Sequence, residues 1–207
     1  LSRLATSFVL GYHGCDKSIA DSVLADKSDL KPSRNRYDWL GAGIYFWESD
    51  PVRAQEWATE NAHKFETKTP AVIGAVIDLR NCLDFTSRVH MGDVVDAWTS
   101  LKDLYDLAGL DMPENKSPKG AKSDDRVFRF LDCAVIDHLH EIYAHNAKVD
   151  KSIEPFDTVR GMFTEGGGIF PGAALLSKTH VQIAVRNRKC ILGYFTPRID
   201  GKPIGKS

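Results

Sequence analysis

The residues of this chain that could do chemistry fall into short blocks: Tyr12-His13-Gly14, Gly41-Ala42-Gly43-Ile44-Tyr45-Phe46, a histidine group at 138–145, Glu165 ahead of three glycines, and Gln182. Spacing removes several chemistries at once. Gly41-Ala42-Gly43 begins like a dinucleotide fingerprint, but the third Gly is missing and the segment opens a strand where that motif opens a helix. His140-Glu141 resembles the start of a zinc protease motif, yet the next His is five residues on, so His140 and His145 point apart on a helix. His138, Glu141 and His145 read as a solvated helix face. Glu165-Gly166-Gly167-Gly168 lacks the Lys-Ser/Thr of a phosphate loop, and Cys15 has no orienting partner that would make it a nucleophile. No metal site is expected.

The elements that must position the remaining candidates follow from periodicity. Residues 7–12 are apolar strand formers, and strand one is expected to end at His13, where Gly14 permits a change of direction. Asp16 then caps a short amphipathic helix carrying Ile19, Ala20, Val23 and Leu24. A polar loop at 26–40 leads to the aromatic strand Ile44-Tyr45-Phe46-Trp47. Ser49 or Asp50 caps the next helix, with Pro51 in its first turn, and it should reach about His63. Residues 70–79 read as a buried strand in which Gly74 marks a bulge or a close approach. Two helical stripes, Val94 to Leu107 and Phe128 to Ile142, flank a loop at 112–124 and predict a helical pair packed on the sheet. The glycines at 166–168 predict a mobile loop without a regular ladder. Two strands at 179–186 and 189–195 close the chain, joined by a tight turn at Asn187-Arg188, before a loose tail at 199–207. Trp57, Trp39, Phe46 and Trp47 are expected in the core.

At 207 residues, 43% hydrophobic and 27% charged, one domain of α+β class is expected, spanning 1–198, with a helical insertion at 87–150. A net charge of -1 gives no global attraction to nucleic acid or acidic membranes. No run approaches the ~18 apolar residues of a membrane span. Four cysteines far apart, with no C-x-x-C pair, fit reduced thiols, so a soluble cytoplasmic protein is expected.

Taken in order, Tyr12-His13-Gly14, the Gly41–Phe46 block with a helix directly behind it, and the closing strands near 179–195 resemble the His-Tyr-Glu class of ADP-ribosyltransferases, which includes poly-ADP-ribose polymerases and diphtheria toxin. The three blocks cover about 60 residues, and the middle helices carry no matching motif. The resemblance implies a split, mostly antiparallel sheet with NAD as co-substrate in the cleft. It implies that His13 bonds the adenosine ribose, that the Gly14 backbone pairs with the nicotinamide carboxamide, and that Tyr45 stacks on the nicotinamide ring. Gly43, Tyr37 and Arg53 are further cofactor contacts expected on this basis. Such a site loses neutral nicotinamide from a sugar carbon through an oxocarbenium-like transition state, which requires orientation and electron-rich groups rather than a metal.

One position departs from the pattern. Where the class has Glu at the start of the penultimate strand, alignment on Gln182-Ile183-Ala184-Val185 places Gln182, which carries no charge and takes no proton. Polymer formation is therefore disfavoured and single transfer to a protein or nucleic-acid acceptor is the leading expectation. Glu165, and after it Glu48, are the candidates to replace the missing acid. By analogy with compact members of the class, a bacterial toxin or phage-defence effector with a neutralising antitoxin is the expected setting. A silent NAD- or ADP-ribose-binding module, an NAD glycohydrolase, and an interaction domain with no nucleotide site stay open.

Overall fold

The computed structural model describes residues 8–117, 126–199 and 202–204. Their order is β1 (Phe8–Asp16), α1 (Lys17–Leu24), β2 (Ile44–Glu48), α2 (Pro51–Asn61), β3 (Pro70–Asp78), β4 (Cys82–Asp84), α3 (Met91–Ala108), α4 (Phe130–Val149), β5 (Thr158–Phe163), β6 (His180–Val185), β7 (Ile191–Phe195), β8 (Arg198–Ile199) and β9 (Lys202–Pro203). The fold is α+β. Seven strands make one open sheet in the order β4-β5-β6-β2-β1-β3-β7, antiparallel except for the β4–β5 pair. That parallel pair requires a crossover, and α3 with α4 supply it.

Local chemistry sets the ends of these elements. The Asp16 carboxylate accepts from the Ser18 N–H at 2.9 Å and starts α1; Asp50 caps α2 through the Arg53 N–H at 2.8 Å, with Pro51 in the first turn. Gly109 ends α3 in the left-handed conformation at φ 64°. Gly74 is a close approach: a Cβ there would stand 2.3 Å from the Phe195 ring on β7.

Three apolar clusters hold the layers. Phe46, Ile73, Ile77, Ile183 and Val185 form the centre of the first, with α1 and Leu30 from the 26–40 loop closing it. Leu40, Leu83, Val159 and Ala184 meet Leu101, Val135, Ile136 and Leu139 in the second, beneath α3 and α4. Trp47, Ala54 and Val72 form the third, under α2.

Several expectations need correction. β1 runs on to Asp16, because β3 pairs with it as far as Pro70. α2 stops at Asn61 and a short 3-10 turn, Ala62–Lys64, completes the segment. β4 and β5 were not expected. The last two long strands are not a hairpin: β6 lies between β2 and β5, while β7 is on the far edge against β3. Asn187 bonds back to Asp157 through its N–H at 3.0 Å and its Nδ2 at 2.6 Å, which anchors the chain before it crosses over. The glycine loop has no regular ladder, as expected, beyond an isolated Gly168–Leu176 bridge, with Ile169 N–H bonded to Leu175 C=O at 3.1 Å and Ser177 N–H to Gly167 C=O at 2.9 Å. Within the expected tail, β8 and β9 pair, and Ile204 packs on the third cluster; residues 200–201 and 205–207 lie outside the described residues, as do 118–125 of the expected 112–124 loop.

Candidate functional site

The sheet comes apart between β1 and β2. Their ladder has only the Gly11–Glu48 and Tyr12–Trp47 pairs, whereas β1 and β3 stay paired along the whole of β1. His13 spans the opening, its Nδ1 donating to the Tyr45 carbonyl at 2.7 Å. A carbonyl only accepts, so Nδ1 carries the hydrogen and Nε2 keeps its lone pair. Burial lowers the pKa of His13 below the ordinary histidine value, against the raising effect of the bond to Tyr45, so the ring is neutral near pH 7. Strand parity completes this edge. The Ser49 N–H donates to the Leu10 carbonyl at 2.9 Å, so even-numbered residues of β1 turn their backbone groups toward β2. Gly14, two residues past the last pair, therefore presents its N–H and C=O to the gap. Its missing side chain also lets α2 lie close, since a Cβ would stand 2.5 Å from the Ala54 carbonyl oxygen.

Tyr45 is fixed by its hydroxyl, which donates to the Gly41 carbonyl at 2.9 Å and accepts from the Leu40 N–H at 3.0 Å. Burial, then the Asp38 charge, raise its pKa well above the usual phenol value. Across the β2–β6 ladder, Gln182 is paired with Trp47. Trp39 donates its indole N–H to Gln182 Oε1 at 2.6 Å. In the same loop, Asp38 accepts from the Asn35 N–H at 2.6 Å, and burial raises its carboxyl pKa despite the bonds from Ser33 and Asn35.

The opposite wall is built by α2 and the strand ends of β5 and β6. Arg53 donates to Glu165 Oε1 from Nη2 at 2.7 Å and from Nε at 3.2 Å, both side chains being largely buried. His180 donates from Nδ1 to the Lys178 carbonyl at 2.6 Å, and its ring stacks on Phe163 with centroids 5.6 Å apart. Burial lowers the His180 pKa; the Lys178 bond and the Glu165 charge oppose this. Trp47 Nε1, Arg53 Nη1 and His180 Nε2 are buried without a hydrogen-bond partner among the described residues.

These walls enclose one cleft of about 590 Å³, lined by His13, Gly14, Tyr37, Tyr45, Arg53, Glu165 and Gln182 among others. Residues of β1, β2 and β6 thus line one cleft. Gly43 is not part of the lining. It bridges to Ser33, and a Cβ there would stand 3.1 Å from Ala184 Cβ, so it serves the packing of β2 on β6. Glu48 is also absent from the lining and is held by Arg160 through bonds of 2.5 and 2.9 Å. Glu165 is in the cleft, with Oε1 taken by Arg53. Tyr37 stands at the rim, edge-on to Phe128 at 5.7 Å.

Sequence reading missed His180 and Phe163, and it placed Trp39, Trp47 and Trp57 in the core although all three line the cleft. Phe46 is fully buried in the first cluster and Trp47 is a buried member of the third that also faces the cleft, while Trp39 and Trp57 are partly buried against the second and third clusters. The signal for the others was parity: Tyr45 and Trp47 share one face of β2, and His180 and Gln182 one face of β6. Burial pushes the Cys15 thiol up to about 12, which disfavours a nucleophilic role. His138 is not solvated; it meets Ser100 Oγ at 3.1 Å between α4 and α3, while Glu141 and His145 are exposed. Among the described residues no group of three or more His, Cys, Asp or Glu is placed to hold a metal ion, and no helix is long and apolar enough to cross a membrane. Comparison with family models, curated proteins and solved structures finds no match to this chain.

Proposed function

We propose that this chain is an NAD-dependent mono-ADP-ribosyltransferase acting on a protein or nucleic-acid acceptor. One observation carries the reading: His13, Gly14, Tyr45 and Gln182, far apart in sequence, line a single cleft of about 590 Å³, within the roughly 300–1,000 Å³ of small-molecule sites. In this reading His13 Nε2 accepts from a ribose hydroxyl, and the turned-out Gly14 backbone pairs with the carboxamide of nicotinamide. The Tyr45 ring faces the cationic pyridinium, an attraction of about 0.5–2 kcal/mol at a desolvated site. The bond from C1′ to the ring nitrogen breaks with its electron pair passing to the pyridinium, nicotinamide leaves neutral, and an acceptor O–H or N–H group bonds the sugar carbon and gives up its proton to solvent. Gln182 bonds the ribose but supplies no charge and takes no proton, which supports single transfer over chain growth. A toxin or phage-defence role, with a neutralising antitoxin as partner, is proposed by analogy with compact members of the class.

A second reading, a silent NAD- or ADP-ribose-binding module or a glycohydrolase, is favoured by the state of the acids: Gln182 is uncharged and Glu165 is committed to Arg53. Incubation with NAD labelled in its adenylate part, in whole-cell lysate, separates them. Label resistant to nuclease and lost to protease, or the reverse, identifies transfer and its acceptor; free ADP-ribose alone identifies hydrolysis. NAD binding with neither product identifies the silent module, and no NAD binding ends the proposal.

A further inference from the structure

Gln182 enters the cleft with one of its two amide atoms already in use. Trp39 donates to its Oε1 at 2.6 Å. An indole nitrogen donates and never accepts, so the carboxamide cannot be turned round without setting N–H against N–H. The atom left for a ligand is Nε2, which has no protein partner among the described residues and is not among the polar atoms sealed from solvent.

Trp39 is itself packed on two sides. Its six-membered ring lies on Gly161 of β5, where a Cβ would stand 2.6 Å from the ring edge. Phe163 packs against it with centroids 5.3 Å apart. Its outer side is a wall of the apolar groove formed with Phe85, Trp98, Leu131 and Val135. The 143-residue separation between the bonded partners means that the loop before β2 and the β5–β6 hairpin must both be in place for the contact to exist.

We propose that Trp39 is a positioning residue that fixes Gln182 as a hydrogen-bond donor, so that its Nε2–H pairs with a ligand oxygen. Resting on the NAD reading of the cleft, that oxygen is a hydroxyl of the ribose that carries nicotinamide. A carboxylate here would accept from the same hydroxyl, so this site recognises the sugar with reversed polarity. Gly161 is part of the device, because any side chain beneath the indole displaces it.

The test is a double-mutant cycle on nicotinamide release with Trp39→Phe, Gln182→Ala and the pair. Trp39→Phe keeps an aromatic side chain but removes the N–H together with the outer end of the indole that reaches Gly161. It should lower kcat about tenfold with KM within about twofold, the signature of a group that orients rather than binds. Added to Gln182→Ala it should cost clearly less than it does alone, since its N–H acts through that amide even though its ring also lines the cleft. Additive losses, or an unchanged kcat in Trp39→Phe, would overturn the proposal while leaving NAD chemistry intact. The ¹⁵N spectrum of the protein without NAD reads the contact directly: the Trp39 indole proton should exchange slowly and shift in Gln182→Ala, and an indole signal indifferent to that change also overturns it. A wild-type chain that releases no nicotinamide and shows no thermal shift with NAD removes the reading of the cleft, and the donor role toward ribose falls with it.

Discussion

Tyr45→Phe separates what the hydroxyl of this residue does from what its ring does. The hydroxyl is spent inside the protein, on the Gly41 carbonyl and the Leu40 N–H. Leu40 is fully buried, so deleting the oxygen leaves a donor and an acceptor unpaired where water does not replace the lost partner. At roughly 1–3 kcal/mol for each stranded group, less the desolvation relieved by removing the hydroxyl, the net loss is about 2–4 kcal/mol. For a domain of this size that corresponds to a fall in Tm of roughly 5–15 °C. The ring face is unaltered, so NAD should still bind with a Kd within about threefold of wild type once both proteins are measured well below their Tm. Tyr45→Ala should lose the stability and the binding together. Differential scanning fluorimetry and NAD titration on the three proteins decide the matter. A Tyr45→Phe protein of unchanged Tm that fails to bind NAD would show that the hydroxyl meets the ligand, and the roles assigned here to Leu40 and Gly41 would be wrong.

Other outcomes follow from named contacts. Glu165→Gln should weaken the hold on Arg53 and destabilise by about 1–3 kcal/mol, read by urea titration, because it leaves a largely buried cation poorly paired. His140, on the buried face of α4 and under the charge of Arg186, has a pKa depressed to about 3 by burial first and by the Arg186 charge second. Its unfolded value is near 6.5, so the unfolded chain binds the proton first: the stabilising contribution is complete above pH 6.5 and is lost as pH falls toward 3. His140→Leu should therefore lose about 2 kcal/mol less than wild type between pH 6.5 and 5, and parallel stability curves would contradict this. Gly74→Ala should cost about 1–3 kcal/mol by forcing the Phe195 ring aside, seen as a lowered urea midpoint; no change would mean that this ring moves freely.

The parts of the fold that were legible in sequence are those whose cause is local. β1 and β3 are continuous apolar runs, and Asp16, Asp50 and Pro51 mark helix starts by side-chain chemistry alone. β5 was illegible because Arg160 and Gly161 break its apolar pattern for distant reasons: Arg160 is there for Glu48 and Asp84, and Gly161 for the Trp39 ring. Asn187-Arg188 has the composition of a hairpin turn, yet Asn187 is used by Asp157, and β7 is claimed by the free edge of β3. The cleft was half legible. His13 and Tyr45 stood out in the sequence by a resemblance, and Gln182 as its departure, whereas Trp39, Trp47 and Trp57 look like core in any sequence and line the cleft as well because the sheet opens past Tyr12.

The most direct measurement is a calorimetric titration of the chain with NAD, repeated on His13→Ala and Tyr45→Ala. Saturable binding of one NAD per chain, weakened at least about tenfold by either substitution, is the predicted result. Absence of binding in wild type, or binding indifferent to both changes, would contradict a nucleotide site at the opening between β1 and β2.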